Sequence, residues 1–210
     1  MSGDKLSNPE QELTVEITEA SFDLQKNPKG DVSTRTLTGP IALIVTTLAM
    51  GLSLYALYWV VGIIQPQIYR VSFLLITLVL IFLIFPAHAR WQARITWSDW
   101  LLAFAAFVAL VWPIIDFDRF VYRAATPTNA DLTLGIITTL LVLEATRRTV
   151  GPILPVTAVF FLLYAYLGPF LELIGLELFA HRGYDVARLI GTLYMTLEGI
   201  FGVPLNVAAT

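Results

Sequence analysis

Cysteine is missing altogether from the 210 residues, which excludes a disulfide framework, a thiol nucleophile and any Cys-based metal site. Charge is scarce as well: 14% of residues are charged against roughly 25% in ordinary soluble domains, while 57% are hydrophobic. The mean hydropathy of +0.73 points the same way, to a membrane protein. With 13 Lys and Arg against 16 Asp and Glu the formal charge is −3, so a basic nucleic-acid-binding surface is excluded. Histidine occurs twice, at His88 and His181, in loops that the topology below puts on opposite faces, so the two cannot share a metal. H-E-x-x-H, G-x-S-x-G and G-K-[ST] signatures are absent, as are carboxylates paired at i, i+4 within a span. The chain is therefore not expected to be an enzyme or to carry a resident metal or cofactor.

What charge there is lies unevenly. Residues 1–40 hold Asp4, Glu10, Glu12, Glu16, Glu19, Asp23 and Asp31 against Lys5, Lys26, Lys29 and Arg35, which accounts for the whole net charge. Seven acids against four bases give this segment −3. No basic segment precedes an apolar one at the start, so a cleaved signal peptide is not expected. Residues 1–39 read as a polar, mostly disordered cytoplasmic tail, in which Asn8 to Leu24 has the pattern of a short amphipathic helix.

A helix rises ~1.5 Å per residue and must cross ~30 Å of hydrocarbon, so about 20 apolar residues make a span. Six runs qualify once snorkelling arginines are allowed. They are Ile41 to Ile64, Ile68 to Phe85, Trp97 to Ile115, Pro127 to Arg148, Ile153 to Leu171 and Leu189 to Thr210. The fourth is the least apolar; Thr128 and Asp131 give it capping-box-like spacing, with Asp in place of Glu. The expectation is an all-α polytopic membrane protein with about six transmembrane helices. Lys5, Lys26, Lys29, Arg35, Arg90, Arg94, Arg147 and Arg148 then share one side, and Arg70, Arg119, Arg123, Arg182 and Arg188 the other. This bias, with Trp91, Trp97 and Trp100 gathered beside Arg90 and Arg94, makes the N-terminus cytoplasmic.

Ionisable groups at membrane depth raise the functional question. Glu198, about nine residues into the last run, is the candidate for a substrate or ion pathway, with a hydrogen-bonded helix anchor as the competing role. Glu144, Arg147 and Arg148 at i, i+3, i+4 are expected to form a structural ion pair on one helical face. Asp116, Asp118, Arg119 and Arg123 make a charged outer loop, either a partner-docking surface or simply solvated.

Three segments together resemble a known family: LLVLEATRRTVGPILPVTAVFFLLYAYLG (Leu140 to Gly168), TLYMTLEGIFGVPLNVAAT (Thr192 to Thr210) and PTNADLTLG (Pro127 to Gly135). They are similar to the fused membrane permease of tripartite ATP-independent periplasmic (TRAP) transporters, in the branch served by TAXI-type solute-binding proteins. The resemblance covers roughly residues 40–210.

That resemblance implies a Q-like four-helix membrane domain over 40–150 and the start of an M-like permease domain over 151–210. It implies an elevator-type secondary transporter of a bacterial or archaeal cytoplasmic (inner) membrane. A periplasmic binding protein would deliver an organic acid, and sodium or protons would drive symport. Members continue through many more helices after the segment matching Glu198 to Pro204, so the substrate-holding hairpins would lie beyond Thr210, and this portion would be a scaffold-side fragment. The expected partners are the binding protein, the remainder of the M-like permease and membrane lipid. The alternative is a stand-alone membrane scaffold or assembly module that recruits partners through its acidic tail without transport.

Overall fold

The computed structural model describes residues 34–62, 64–88, 91, 94–115, 117–173, 175, 178, 181–196, 199–202, 205 and 207. The expected disordered tail and its Asn8 to Leu24 helix lie outside the described residues, apart from the stretch after Ser33. Among the described residues every regular element is helical, and the protein is an all-α membrane protein.

Four helices are long and apolar enough to cross a bilayer: α1 (Pro40–Val61), α2 (Pro66–Ile84), α3 (Trp97–Ile115) and, after a short α4 (Phe117–Tyr122), α5 (Asn129–Thr149). Their starts follow from local chemistry. Proline opens α1 and α2, where its missing N–H costs no helical bond. At α1 the preceding Gly39 takes φ 74°, a left-handed conformation that glycine reaches without steric cost. At α5 both bonds of a capping box form between Thr128 and Asp131, so the fourth expected span begins as its sequence suggests.

Helices α2, α3 and α5 share the core. Val71, Leu74, Leu78 and Phe82 of α2 meet Ala103, Ala106 and Leu110 of α3 and Leu141 and Ala145 of α5. Alanines three apart on α3 let its backbone approach its neighbours closely, which is how helices gain van der Waals contact when lipid removes the hydrophobic drive. Helix α1 lies against α2, where Val45, Leu48 and Leu52 meet Leu80 and Leu83 and Trp59 stacks on Tyr69, and its opposite face is exposed.

The structure departs from the six expected spans at the last two. The fifth, α6 (Ile153–Leu167), stops after 15 residues, and a four-residue α7 (Phe170–Leu173) follows. Pro169 is the cause: it has no N–H for Ala165 O, which accepts instead from Tyr184 N at 3.0 Å. The sixth run is a short α8 (Val186–Ile190) continued by one π turn over Gly191–Met195, after which Thr196 is extended, with ψ 163°. The chain then folds back through Gly199, with Ile200 N donating to Leu193 O at 2.8 Å and Gly202 N to Gly199 O at 3.0 Å. A Cβ at Gly199 would overlap the carbonyls of Thr192 and Leu193, so glycine permits this return.

Proline also leaves a mark inside α3. Pro113 removes the N–H that would have bonded Ala109 O, and the buried Tyr194 hydroxyl donates to that carbonyl. Gly135 of α5 makes room for this contact, since a Cβ there would overlap Ile190 and press on the Tyr194 ring. Tyr194→Phe should cost ~1–3 kcal/mol, because it strands a buried carbonyl. In a Pro113→Ala background, which restores the helix's own bond, the same substitution should cost much less. Unfolding midpoints of the four proteins in detergent measure this coupling, and equal costs in both backgrounds refute it.

Candidate functional site

The antiparallel order of α1, α2, α3 and α5 gathers buried charge at both ends of the bundle. At one end the carboxylate of Asp99, fully buried in the first turn of α3, sits between two guanidiniums. Arg35 Nη2 donates to Asp99 Oδ2, and Arg148 Nη1 donates to Oδ1 at 2.8 Å. Thr96 N adds a third bond to Oδ2 at 2.9 Å, which fixes the carboxylate to its own helix start.

The same two arginines close the C-terminus of α2. The last carbonyls of a helix lack intrahelical donors and carry the negative end of its dipole. Here Arg35 Nη1 donates to Phe82 O at 3.3 Å and to Leu83 O at 3.1 Å. Arg35 N donates to Ile84 O at 2.9 Å, and Arg148 Nη1 to Phe85 O at 3.1 Å. The Arg148 guanidinium also lies 5.2 Å from the Phe82 ring centroid. One cluster thus joins the residues before α1, the end of α2, the start of α3 and the end of α5.

Glu144, Arg147 and Arg148 do lie on one face of α5. Glu144 accepts from Arg147 Nε and Nη2 and from Arg148 Nε, each at 2.8 Å. Arg147 remains 44% exposed at its side chain, whereas Arg148 is 1% exposed and reaches inward to Asp99 rather than out to a headgroup layer. The five groups carry one net positive charge: Arg35, Arg147 and Arg148 against Asp99 and Glu144.

At the other end Asp131, also fully buried, takes the corresponding place in the first turn of α5. Its carboxylate accepts from Trp112 Nε1 (3.0 Å), Arg123 Nε (3.2 Å) and Nη2 (3.3 Å), Thr128 N (3.1 Å) and Thr128 Oγ1 (2.6 Å). This clamp ties the end of α3 and the turn after α4 to the start of α5. A cavity of about 330 Å³ nearby is lined by Gln67, Pro113, Phe120, Met195 and Phe201 among others, but by neither buried aspartate.

The remaining sequence candidates fall differently. Of the proposed docking loop, Asp118 and Arg119 are exposed on α4, but Arg123 is turned inward to Asp131 and belongs to the clamp. Burial of Asp131 draws it there, since an unpartnered carboxylate at that depth is costly. Asp116 and Glu198 lie outside the described residues. His88 stands 6.4 Å from the Trp91 ring and His181 closes a turn on α6. Among the described residues no three His, Asp or Glu side chains converge as metal ligands.

Arg35 and Asp99 are the residues that sequence reasoning missed. Arg35 sits in a polar stretch and reads as solvated, yet its side chain is fully buried. A signal for Asp99 was present: Thr96-x-x-Asp99 repeats the spacing of Thr128-x-x-Asp131, and both aspartates end up fully buried. Comparison with protein-family models, curated proteins and solved structures gives no match.

Removing one member of a buried ion cluster leaves the others charged and unpaired, at ~3–5 kcal/mol, whereas an exposed pair contributes ~0–1 kcal/mol. Asp99→Ala should therefore destabilise strongly and Arg147→Gln hardly at all. Denaturation in mixed micelles followed by tryptophan fluorescence compares them; similar losses would contradict the assignment of Asp99 as the hub.

Proposed function

We propose that this chain is the scaffold-side membrane portion of an ion-gradient-driven, TRAP-type secondary transporter that takes up organic acids delivered by a periplasmic binding protein. The observation that carries the reading is that, among the described residues, buried charge is confined to two clamps at opposite ends of the bundle, with an apolar core between them. An element that must stay still while another moves needs its helix ends locked and its outer faces apolar. Helix α1 has one buried residue, Val45, and α6 one, Pro155, so both offer broad apolar faces to lipid or to the remainder of a permease. The similarity of Leu140 to Gly168 and Thr192 to Thr210 to that family supplies the chemistry, with sodium or protons as the coupling ion.

The membrane is the bacterial or archaeal inner one, with the Asp99 clamp at the cytoplasmic face. That end carries Arg35, Arg94, Arg147 and Arg148 and the exposed Trp91, Trp97 and Trp100. These 210 residues hold no thiol, so single cysteines placed in them report cleanly. In intact cells an impermeant maleimide should label Arg119→Cys and leave Arg147→Cys unlabelled. Labelling of position 147 from outside reverses the orientation.

The transport reading is tested in proteoliposomes holding this chain, the remainder of the permease and its binding protein. Organic-acid uptake should require an inward sodium or proton gradient. Uptake should survive when Tyr55→Cys and Ser72→Cys, whose native hydroxyls meet at 2.7 Å across α1 and α2, are joined by a short bifunctional thiol reagent. Loss of uptake on crosslinking refutes an immobile frame. Gradient-independent or absent uptake favours the stand-alone scaffold.

A further inference from the structure

Helix α6 has 15 residues and so reaches ~22 Å, well short of the ~30 Å hydrocarbon layer. Its C-terminal end is finished by a turn from farther along the chain. His181 Nε2 donates to Tyr164 O at 3.1 Å, Tyr184 N donates to Ala165 O at 3.0 Å, and Gly183 N donates back to His181 Nδ1 at 3.0 Å. Both ring nitrogens of His181 are thereby engaged, which sets the neutral Nε2–H tautomer and makes the ring a wall. Gly183 has φ 73°, and a Cβ there would strike Pro169.

This turn borders an open cavity of about 520 Å³ lined by Tyr164, Ala165, His181, Arg182, Gly183, Tyr184 and Arg188. Among the described residues no carboxylate lines it. Arg182 and Arg188 are exposed, and among the described residues no acid pairs with either. The Arg188 guanidinium rests 5.1 Å from the Tyr184 ring centroid, which orders it without neutralising it. Along α6 from this basic cavity, Phe160, Phe161, Leu163 and Tyr166 are exposed.

We propose that the open cavity bordered by residues 181–184 at the end of α6, with the apolar face of that helix, binds an anionic phospholipid, the phosphate between Arg182 and Arg188 and the acyl chains along Phe160 and Phe161. Charge complementarity selects the anion. The adjoining apolar face selects a lipid over a free anion, which would use only the arginines. The short helix draws the headgroup inward, because a span shorter than the bilayer thins the lipid around it. The inference needs only that the chain lies in a membrane and is independent of transport.

The test titrates the full chain in neutral detergent and counts lipid adducts by native mass spectrometry. Phosphatidylglycerol should bind in preference to phosphatidylcholine of the same acyl chains, and glycerol 3-phosphate should not compete. Two surface charges on one phosphate predict about thirtyfold weaker phosphatidylglycerol binding in Arg182→Gln/Arg188→Gln. Arg182→Lys/Arg188→Lys should keep most of the binding. If circular dichroism shows lost helix in the double Gln variant, Arg182→Gln alone carries the test, with about a fivefold loss. Unchanged binding in the Gln variant, equal binding of the two lipids, or competition by glycerol 3-phosphate each overturns the proposal. So does binding that appears only after Glu172→Gln/Glu177→Gln, which would mean that those acids occupy the arginines.

Discussion

The bundle depends on one carboxylate. Asp99 stands where four segments converge, and without its charge two buried guanidiniums would face each other across the end of α2. The arrangement is self-consistent because each partner has a second task. Arg35 and Arg148 satisfy carbonyls that a helix end cannot satisfy itself, and in doing so meet the negative end of the α2 dipole. Asp99 then neutralises what the carbonyls leave over. Buried ion clusters contribute little net stability compared with apolar packing, but they are unforgiving of a missing member. Here that intolerance specifies register: α2, α3, α5 and the residues before α1 fit together only when all three side chains arrive at the same depth.

Proline organises the second half of the chain by a related route. Pro113 inside α3 and Pro169 just after α6 each remove one donor, and the freed carbonyl becomes a docking point for something later in sequence. Ala109 O, freed by Pro113, receives the Tyr194 hydroxyl, and Ala165 O, freed by Pro169, receives Tyr184 N. In lipid no water stands ready to take such a carbonyl, so the partner must come from protein. The short elements after α6 are held by these vacancies as well as by their own apolar faces.

These two mechanisms mark how far the sequence was legible. Prolines and glycines punctuate α1, α2 and α3 so clearly that the expected spans and the helices nearly coincide, and Thr128-x-x-Asp131 announced the start of α5. Hydropathy averages over a window, however, and cannot see that Pro169 ends α6 or that Gly199 lets the chain return on itself. The run from Leu189 to Thr210 is apolar enough for a span and still does not form one straight helix. Arg35 was hidden for a different reason. Its partner Asp99 lies 64 positions away, and the composition around Arg35 belongs to the tail.

The donors already held by both clamps decide what they can do. A carboxylate that carries a coupling ion must exchange partners during the cycle, trading a proton or a cation for other donors. Asp131 accepts five hydrogen bonds, one more than its four lone-pair sites, and Asp99 accepts three from two guanidiniums and a backbone amide. Arginine does not deprotonate in proteins, so neither clamp opens by titration of its cation. Opening either would leave an unpaired charge in a dry interior, a cost on the scale of the protein's whole stability margin. The two aspartates are therefore fasteners: one pins the residues before α1 to α2, α3 and α5, and the other pins the end of α3 to the start of α5.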